Sequence, residues 1–269
     1  MSSNRTGLLT RAWRLVRMHL LLARGVLTVL TIYRGASQAR RAELLRNWSR
    51  DLLGILHLKL TVRGTPPRVP GGRNVVVGNH LSWMDVFVVD SCAPSRFVAK
   101  SEIRHWPVIG WLSARAGTLF IDRSKRHATA HTNEQIIAAI RDGDCVAVYP
   151  EGTTSHGDIL RHFHASLLQP AVDAGATLHP AVVRYPGLDG RPNPAMLFVD
   201  DMSFARSVLM IVAEREIAAE ITFLEPIPAA DMERRELARV SEEAVAAALG
   251  VPLARRGPGT PRDPRVGPR

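Results

Sequence analysis

Between residues 58 and 225, short apolar runs alternate with segments of helical spacing, and this alternation constrains the fold more than any other feature. It predicts an α/β class: a single domain with a central, mostly parallel sheet covered by helices. The predicted strands are 59–64, 74–79, 96–100, 118–123, 145–150, 178–185, 195–199 and 219–224. The predicted helices include 36–55, 82–92, 128–141, 163–173 and 231–248.

Positive charge is concentrated at the two ends of the chain. Residues 1–50 contain ten Arg against Glu43 alone, and residues 254–269 contain five Arg against Asp263. Since the whole chain has a net charge of +10, residues 51–253 have a net charge of −3. A nucleic-acid enzyme needs a basic track on its folded body, so nucleic acid is not expected as a partner.

The amino-terminal segment is apolar but interrupted by arginine. Residues 13–33 contain Arg14, Arg17 and Arg24, and no uninterrupted apolar run approaches the ~20 residues of a spanning helix. The pattern predicts a retained amphipathic helix, with arginines near lipid headgroups and apolar side chains toward the acyl chains. The alternative is an amphipathic helix packed on its own domain.

These observations predict three regions. Residues 1–57 form basic membrane-associated helices, residues 58–250 form the folded domain, and residues 251–269 form a disordered basic Pro/Gly tail. Cys92 and Cys145 lie in apolar stretches without metal-type spacing, and we interpret them as buried thiols. A reducing setting is compatible with both, and the cytoplasmic face of the inner membrane is the expected location.

A histidine and an aspartate stand where a predicted strand gives way to a helix. In residues 75–85, His80 follows the apolar strand and Asp85 comes five residues later. A neutral imidazole can take the proton of an attacking alcohol, while a carboxylate on its other nitrogen fixes the tautomer. A capping box from Ser82 to Asp85 explains the aspartate equally well. Without a Gly-x-Ser-x-Gly motif, Ser82 is interpreted as a helix cap rather than an acyl carrier.

Two further polar segments follow predicted strands. Arg123 offers a planar fork of donors for phosphate or carboxylate, although a surface ion pair with Asp122 is the alternative. The segment 149–157 contains Pro150 and is predicted to form a tight turn, either plain or facing a ligand. The turn residues expected near a ligand are Glu151, Gly152, Thr153 and Thr154.

Taken together, four segments resemble the ordered sequence blocks of the glycerolipid acyltransferase family, which includes lysophosphatidate acyltransferase. They are NHLSWMD at 79–85, GTLFIDR at 117–123, YPEGT at 149–153 and LHPA at 178–181. The resemblance extends from about residue 58 to residue 225. It implies transfer of a fatty acyl group to the free hydroxyl of a lysolipid, with 1-acyl-sn-glycerol-3-phosphate as the first expected acceptor, in membrane phospholipid biosynthesis.

The resemblance also implies roles for individual residues. His80 would be the general base with Asp85 behind it, and the polar head of the acceptor would be bound by Arg123 and the turn at Glu151, Gly152 and Thr153. The acyl donor would be acyl-CoA or acyl-carrier protein, and no metal or other cofactor is expected.

One residue departs from the lysophosphatidate-specific pattern. Where those members have arginine after Pro-Glu-Gly-Thr, this chain has Thr154. A lost guanidinium removes a charge-assisted hydrogen bond of about 1.5 to 3 kcal/mol, roughly tenfold to a hundredfold in affinity for a phosphate monoester. The segment Glu-Gly-Thr-Thr-Ser is similar to bacterial lyso-ornithine-lipid acyltransferases, so lyso-ornithine lipid or another lysophospholipid is the alternative acceptor.

Two site features stay open at the level of sequence. Trp106, Ile109 and Trp111 either line a tunnel for the acyl chain or belong to the core. Backbone amides near His80 or Gly152 are the expected donors to the oxyanion.

Two other classes of function compete with acyl transfer. A metallohydrolase would use a cluster of His156, Asp158, His162 and His164. A non-catalytic peripheral membrane protein would explain the basic ends but not the four blocks. The sequence does not decide between the acyl donors, the chain length or the oligomeric state.

Overall fold

The computed structural model describes residues 5–122, 126–187 and 189–254, and its core is one mixed sheet. The strands are β1 (Leu58–Arg63), β2 (Asn74–Gly78), β3 (Arg96–Lys100), β4 (Leu119–Ile121), β5 (Val146–Val148), β6 (Thr177–Arg184), β7 (Ile217–Phe223) and β8 (Ile227–Pro228). Their order is β1-β7-β6-β2-β5-β3-β4, with β8 beside β6. Only β7 and β8 pair antiparallel to β6, so the predicted mostly parallel sheet is confirmed.

Helices cover both faces of the sheet. They are α1 (Leu8–Thr31), α2 (Gln38–Ile55), α3 (Met84–Asp90), α4 (Ile109–Ala116), α5 (Arg126–Arg141), α6 (Gln169–Asp173), α7 (Phe204–Ala213) and α8 (Arg234–Leu249). In β2, Val76 points into the core shared with α1, α2, α3 and α7, whereas Val75 and Val77 point into the core shared with α5, α6 and α8. This alternation is expected of a strand buried on both sides.

Some predicted elements were wrong. The apolar run 195–199 is not a strand but a partly buried loop, because the Phe198 amide donates to the Leu81 carbonyl instead of joining the sheet. The predicted helix 163–173 is divided into a 3-10 turn at Ala165–Leu167 and the short α6. The sequence did not predict α4, α7 or the two-residue β8.

The end of β2 sets the position of the residues that follow it. A Cβ atom on Gly78 would lie 2.3 Å from the carbonyl oxygen of Ala181, so glycine is needed where β2 approaches β6. One residue later, the Asn79 side chain bonds both the N–H and the carbonyl of Val183, each at 2.9 Å. Asn79 therefore continues the pairing of β2 and β6 up to His80.

One face of α1 packs on the domain. Leu21, Gly25 and Val29 are buried, and a Cβ atom on Gly25 would lie 2.9 Å from the indole nitrogen of Trp48. That nitrogen donates to the Leu21 carbonyl at 3.1 Å. The first two helices are thus in direct contact through a close approach that only glycine permits.

Arg14 lies on this inner face, which corrects its predicted place near lipid headgroups. The side chain is 2% exposed and donates to the carbonyls of Val212, Glu214 and Arg215 at the end of α7. Those carbonyls lack helical partners and carry partial negative charge, so they satisfy the buried guanidinium. Burial lowers the pKa of Arg14.

The opposite face of α1 is an exposed apolar stripe. It contains Leu9, Trp13, Val16, Leu20, Leu27 and Leu30, whose exposed fractions run from 48% to 89%. Their spacing of three, four or seven residues places them on one side of the helix, away from the buried face. In the described part of the chain, every helix is too short or too polar to cross a bilayer. The helix therefore has one face on the domain and one without a partner.

The start of the predicted tail is structured. Pro252 and Ala254 pair with the main chain of Leu160, so the domain extends at least to residue 254. Residues 255–269 lie outside the described residues.

Candidate active site

Three neighbouring strands bring the candidate site together. The strands β5, β2 and β6 are adjacent and parallel, so their carboxyl ends meet at one edge of the sheet. Tyr149 and Glu151 follow β5, His80 follows β2, and Tyr185 follows β6. This is the edge at which open α/β sheets build their sites.

The Asp85 carboxylate is fully buried and is held by four donors. Its Oδ2 lies 2.9 Å from His80 Nδ1 and accepts from the amides of Leu81 (2.7 Å) and Ser82 (2.9 Å). Its Oδ1 accepts from the Tyr185 hydroxyl at 2.7 Å. An ionised carboxylate can only accept, so this network assigns the proton to Nδ1 and leaves Nε2 as the basic nitrogen. The His80 side chain is 20% exposed, as a base that meets a substrate must be.

The Asp85 carboxylate makes both the contact expected of a capping box and the contact with the His80 imidazole expected of a catalytic pair. The carboxylate reaches back to the Ser82 amide, which is the return half of a capping box. The prediction that Ser82 itself caps the helix was wrong, because Trp83 occupies the cap position of α3. The Ser82 hydroxyl is buried and makes no hydrogen bond in the described structure.

Tyr149 stacks on the imidazole of His80, a contact that the sequence did not predict. The ring centroids are 4.0 Å apart and the planes differ by 2°. Phe97 stacks on Tyr149 at 5.9 Å. Burial, and then the charges of Asp85 and Asp90, raise the pKa of Tyr149 well above its usual value, so it stays a neutral phenol. The stack fixes the plane of the imidazole.

Glu151 contacts the main chain and not the open side of the site, which corrects its predicted role in binding the acceptor. The residue is 3% exposed. Its Oε1 accepts from the His80 amide at 2.8 Å, and its Oε2 accepts from the Arg161 amide at 3.1 Å. Burial raises the pKa of Glu151 to about 7, against the opposing effect of the two amides. Glu151 therefore positions the loop that carries the base.

The loop that follows Glu151, residues 152–164, is hydrogen-bonded to α8. Glu242 of α8 is 2% exposed, accepts from the Phe163 amide and lies 3.1 Å from His162 Nδ1. The Ser155 amide donates to the His80 carbonyl at 2.8 Å. The start of this loop is thus held by His80, and its end is held by α8.

The other predicted turn residues lie beside His80 but differ in their contacts. Gly152 has a φ of 76°, and its amide donates to the Tyr149 carbonyl at 3.0 Å. The Thr154 hydroxyl donates to the Phe198 carbonyl of the 195–199 loop. In this structure its hydrogen is therefore not directed at the head of a lysolipid. Thr153 is half-buried.

Most of the amides predicted to stabilise an oxyanion are already used. The amide of His80 donates to Glu151, and the amide of Gly152 donates to Tyr149. In the described part of the chain, the amides of Thr153 and Thr154 make no hydrogen bond. Among the described amides near His80 and Gly152, those of Thr153 and Thr154 are therefore still available to an oxyanion.

The predicted tunnel residues make no contact with His80 in the described structure. Arg123 lies outside the described residues, although Asp122 before it follows β4, three strands from β2 in the sheet. Trp106 is exposed and its ring lies 5.6 Å from that of Phe204. Ile109 is half-buried, and Trp111 lies under the Arg115 guanidinium at 5.4 Å. The tunnel remains a prediction.

The metal-like cluster of the sequence does not assemble. His156 lies 3.5 Å from Asp200, and His162 lies against Glu242. Within the described ranges, His, Cys, Asp and Glu side chains form no group of three or more that can hold a metal ion.

Comparison with known proteins matches this geometry to one family. A sequence profile described as Acyltransferase matches residues 59–184. The lyso-ornithine lipid O-acyltransferase of Pseudomonas aeruginosa is 35% identical over 78% of this chain and 79% of its own length. The 1-acyl-sn-glycerol-3-phosphate acyltransferase of Neisseria meningitidis is 32% identical over 87% of this chain and 91% of its own.

A solved structure shares the fold. The crystal structure of the 1-acyl-sn-glycerophosphate acyltransferase PlsC from Thermotoga maritima aligns with a TM-score of 0.65 at 16% identity. The alignment covers 90% of this chain and 95% of that chain.

The buried carboxyl of Glu151 predicts a pH dependence of stability. Because the folded pKa of about 7 lies above the ordinary value of 4.5, the folded state holds this proton to a higher pH than the unfolded state. The resulting stabilisation is complete below about pH 4.5 and is lost as the pH rises through about 7. Glu151→Gln should make the slope of unfolding free energy against pH less negative in this window, by up to about 1.4 kcal/mol per unit.

Urea unfolding at several pH values measures this slope. Glu43→Gln removes an exposed carboxylate from α2 and should follow the wild-type curve. A Glu151→Gln curve parallel to that of the wild type would show that Glu151 does not titrate in this window.

Proposed function

The chain belongs to the acyltransferase family, and from that membership we propose that it transfers a fatty acyl group to the free hydroxyl of a lysolipid. One observation carries the assignment: His80 presents its Nε2 at the carboxyl edge of the sheet while Asp85 holds Nδ1 at 2.9 Å. This is the arrangement of a general base whose tautomer is fixed.

The reaction follows from the positions of these groups. Nε2 of His80 takes the proton of the acceptor hydroxyl as the oxygen attacks the carbonyl carbon of a thioester. The buried Asp85 carboxylate stabilises the imidazolium that forms. When the tetrahedral intermediate collapses, the carbon–sulfur bond breaks and the thiolate takes the proton from Nε2. The base is then neutral again.

The donor and the oxyanion contacts complete the proposal. Acyl-CoA or acyl-carrier protein supplies the thioester. Because residues 51–253 have a net charge of −3, an acidic carrier protein would dock on the basic amino-terminal region rather than on the body. The amides of Thr153 and Thr154 stand two and one residues before Ser155, whose amide contacts His80. We propose that they donate to the oxyanion in place of the amides that are already used.

Two acceptors fit the proposal. The relatives named for lyso-ornithine lipid and for 1-acyl-sn-glycerol-3-phosphate both align over most of this chain. Thr154 carries no charge and donates to Phe198, and this supports an acceptor without a bare phosphate monoester. We therefore propose lyso-ornithine lipid as the first acceptor and lysophosphatidate as the second.

The apolar stripe of α1 supports a position on the membrane. Six exposed apolar side chains lie along one face of the helix, and the first fifty residues have a net charge of +9. Burial of such a stripe at the acyl boundary and attraction to anionic headgroups act together. We propose that α1 lies in the interface on the cytoplasmic leaflet, with the lysolipid acceptor drawn from the same bilayer.

Removal of the base tests the chemistry. His80→Ala should lower the rate of acyl transfer by about 10² to 10⁴, because proton removal is then left to water. The assay offers labelled acyl-CoA or acyl-carrier protein to a panel of lysophosphatidate, other lysophospholipids and lyso-ornithine lipid. His131→Ala, an exposed change on α5, is the control and should keep the wild-type rate. Equal rates for His80→Ala and the wild type would disprove the mechanism.

Position 154 tests the choice of acceptor. Thr154→Arg adds a guanidinium beside the site and should raise kcat/KM for lysophosphatidate relative to lyso-ornithine lipid by roughly tenfold to a hundredfold. Thr154→Val also breaks the bond to Phe198 but adds no charge, so it should leave the ratio near that of the wild type. The same ratio in Thr154→Arg and Thr154→Val would exclude position 154 from head recognition.

Charge on the apolar stripe tests membrane binding. The double change Leu20→Glu and Leu27→Glu places two carboxylates at the proposed acyl boundary and should release most of the protein from vesicles of phosphatidylglycerol and phosphatidylcholine. Sedimentation with the vesicles measures the bound fraction. Val62→Glu adds a charge at an exposed apolar residue of β1 and should bind like the wild type. Full binding by the double variant would place the contact elsewhere.

A further inference from the structure

A cavity lies at the edge of the sheet opposite to the edge that carries His80. It has a volume of about 200 Å³ and is formed where the chain enters β2, β3, β4 and β5, near Pro70, Arg96, Gly117 and Asp144. Since β2 is five residues long, roughly 15 Å of strand separate this edge from the catalytic edge. The cavity is therefore not part of the acceptor site.

Three arginines line this cavity against one carboxylate. Arg41 comes from α2, Arg96 from the start of β3 and Arg115 from α4, whereas Asp144 is the acidic residue among the lining. Asp144 is already paired with Arg96 at 3.2 Å. The lining thus has an excess of two positive charges.

Two of these guanidinium groups have no carboxylate partner in the described structure. Arg41 donates to the carbonyls of Tyr33 and Arg34, each at 3.0 Å. Arg115 lies over the face of Trp111, with its guanidinium 5.4 Å from the ring centroid. Each guanidinium has five N–H donors, so most donors of both groups remain available to an anion.

The remaining polar groups near the cavity do not cancel this charge. The Tyr33 hydroxyl donates to the Ala116 carbonyl at 3.2 Å, and the Gln38 amide donates to Asp144. The other acid whose charge acts on Tyr33 is Asp90, which is 2% exposed, and burial raises the pKa of Asp90 well above the usual value. A tetrahedral anion is the ligand that such a set of planar cationic donors suits best.

The end of α1 connects the cavity to the apolar stripe. The stripe ends at Leu30, the next exposed apolar residue is Ile32, and Tyr33 then lines the cavity. Acyl chains that contact the end of the stripe would hold their phosphate close to Arg41 and Arg115. A phospholipid could contact the stripe and the cavity together, whereas a soluble anion would contact the cavity alone.

We propose that this cavity binds the phosphate group of a membrane phospholipid that is not a substrate. The inference rests on the proposed docking of α1 at the bilayer. An anionic lipid bound in this way would fix the orientation of the protein on the leaflet, because the lipid would be held at the edge of the sheet remote from His80.

Calorimetric titration with dihexanoylphosphatidylglycerol below its micelle concentration tests the proposal. Both remaining hydroxyls of its backbone glycerol are already acylated, so it is not a lysolipid, no acyl donor is present in the titration, and as a monomer it binds without a bilayer. Arg115→Gln should weaken binding by roughly tenfold to a hundredfold, and Arg41→Gln should act in the same direction. Arg34→Gln removes the same charge at the same end of α1 but does not line the cavity, and it should bind like the wild type.

Each outcome decides the question. Weaker binding in Arg115→Gln and Arg41→Gln, with Arg34→Gln unchanged, supports the site. Equal weakening in all three variants shows a general effect of charge and overturns it, as does absence of binding to the wild type. A parallel titration with inorganic phosphate that is as tight as the lipid overturns the lipid assignment in favour of a soluble phosphate. None of these results depends on acyl transfer or on sedimentation with vesicles, so failure of the proposed function is seen separately.

Discussion

The buried charge of Asp85 is the interaction on which the rest of the site depends. A carboxylate without water costs several kcal/mol unless its oxygens are satisfied, and here the donors come from separate parts of the chain. Backbone amides immediately before α3 donate to one oxygen of Asp85, and the Tyr185 hydroxyl at the end of β6 donates to the other. The imidazole of His80 is then positioned by a group that cannot move without breaking several contacts.

The part of this site that could be predicted is local in sequence. His80 and Asp85 are five residues apart, and the turn at Glu151 follows a strand that is apolar throughout, so spacing and composition suffice. Tyr185 is a hundred residues from Asp85, and its role depends on β6 lying beside β2. The direction of the Glu151 carboxylate likewise depends on Arg161, which nothing in the turn sequence specifies.

The same limit explains the errors in the fold. The run 195–199 is apolar and partly buried, and neither property alone distinguishes a strand from a loop. Arg14 fits the pattern of an interfacial arginine, but in the folded chain the carbonyls of Val212 and Arg215 accept its hydrogen bonds. In both cases a distant segment decides where the residue lies. The layers of the fold could be predicted from hydrophobic periodicity, because each helix or strand carries its periodic pattern within its own residues.

The contact of α1 with α7 also sets an order of events during synthesis. Arg14 and its partner Val212 are 198 residues apart, so α2 can cover part of the inner face of α1 early, but Arg14 has no partner in α7 until nearly the whole domain has been translated. At about 5 to 20 residues per second, that interval is roughly 10 to 40 s. During this time the exposed apolar stripe of α1 and the position of Arg14 are both open while the chain is still on the ribosome. The nascent helix can therefore meet lipid before the domain that carries the chemistry exists.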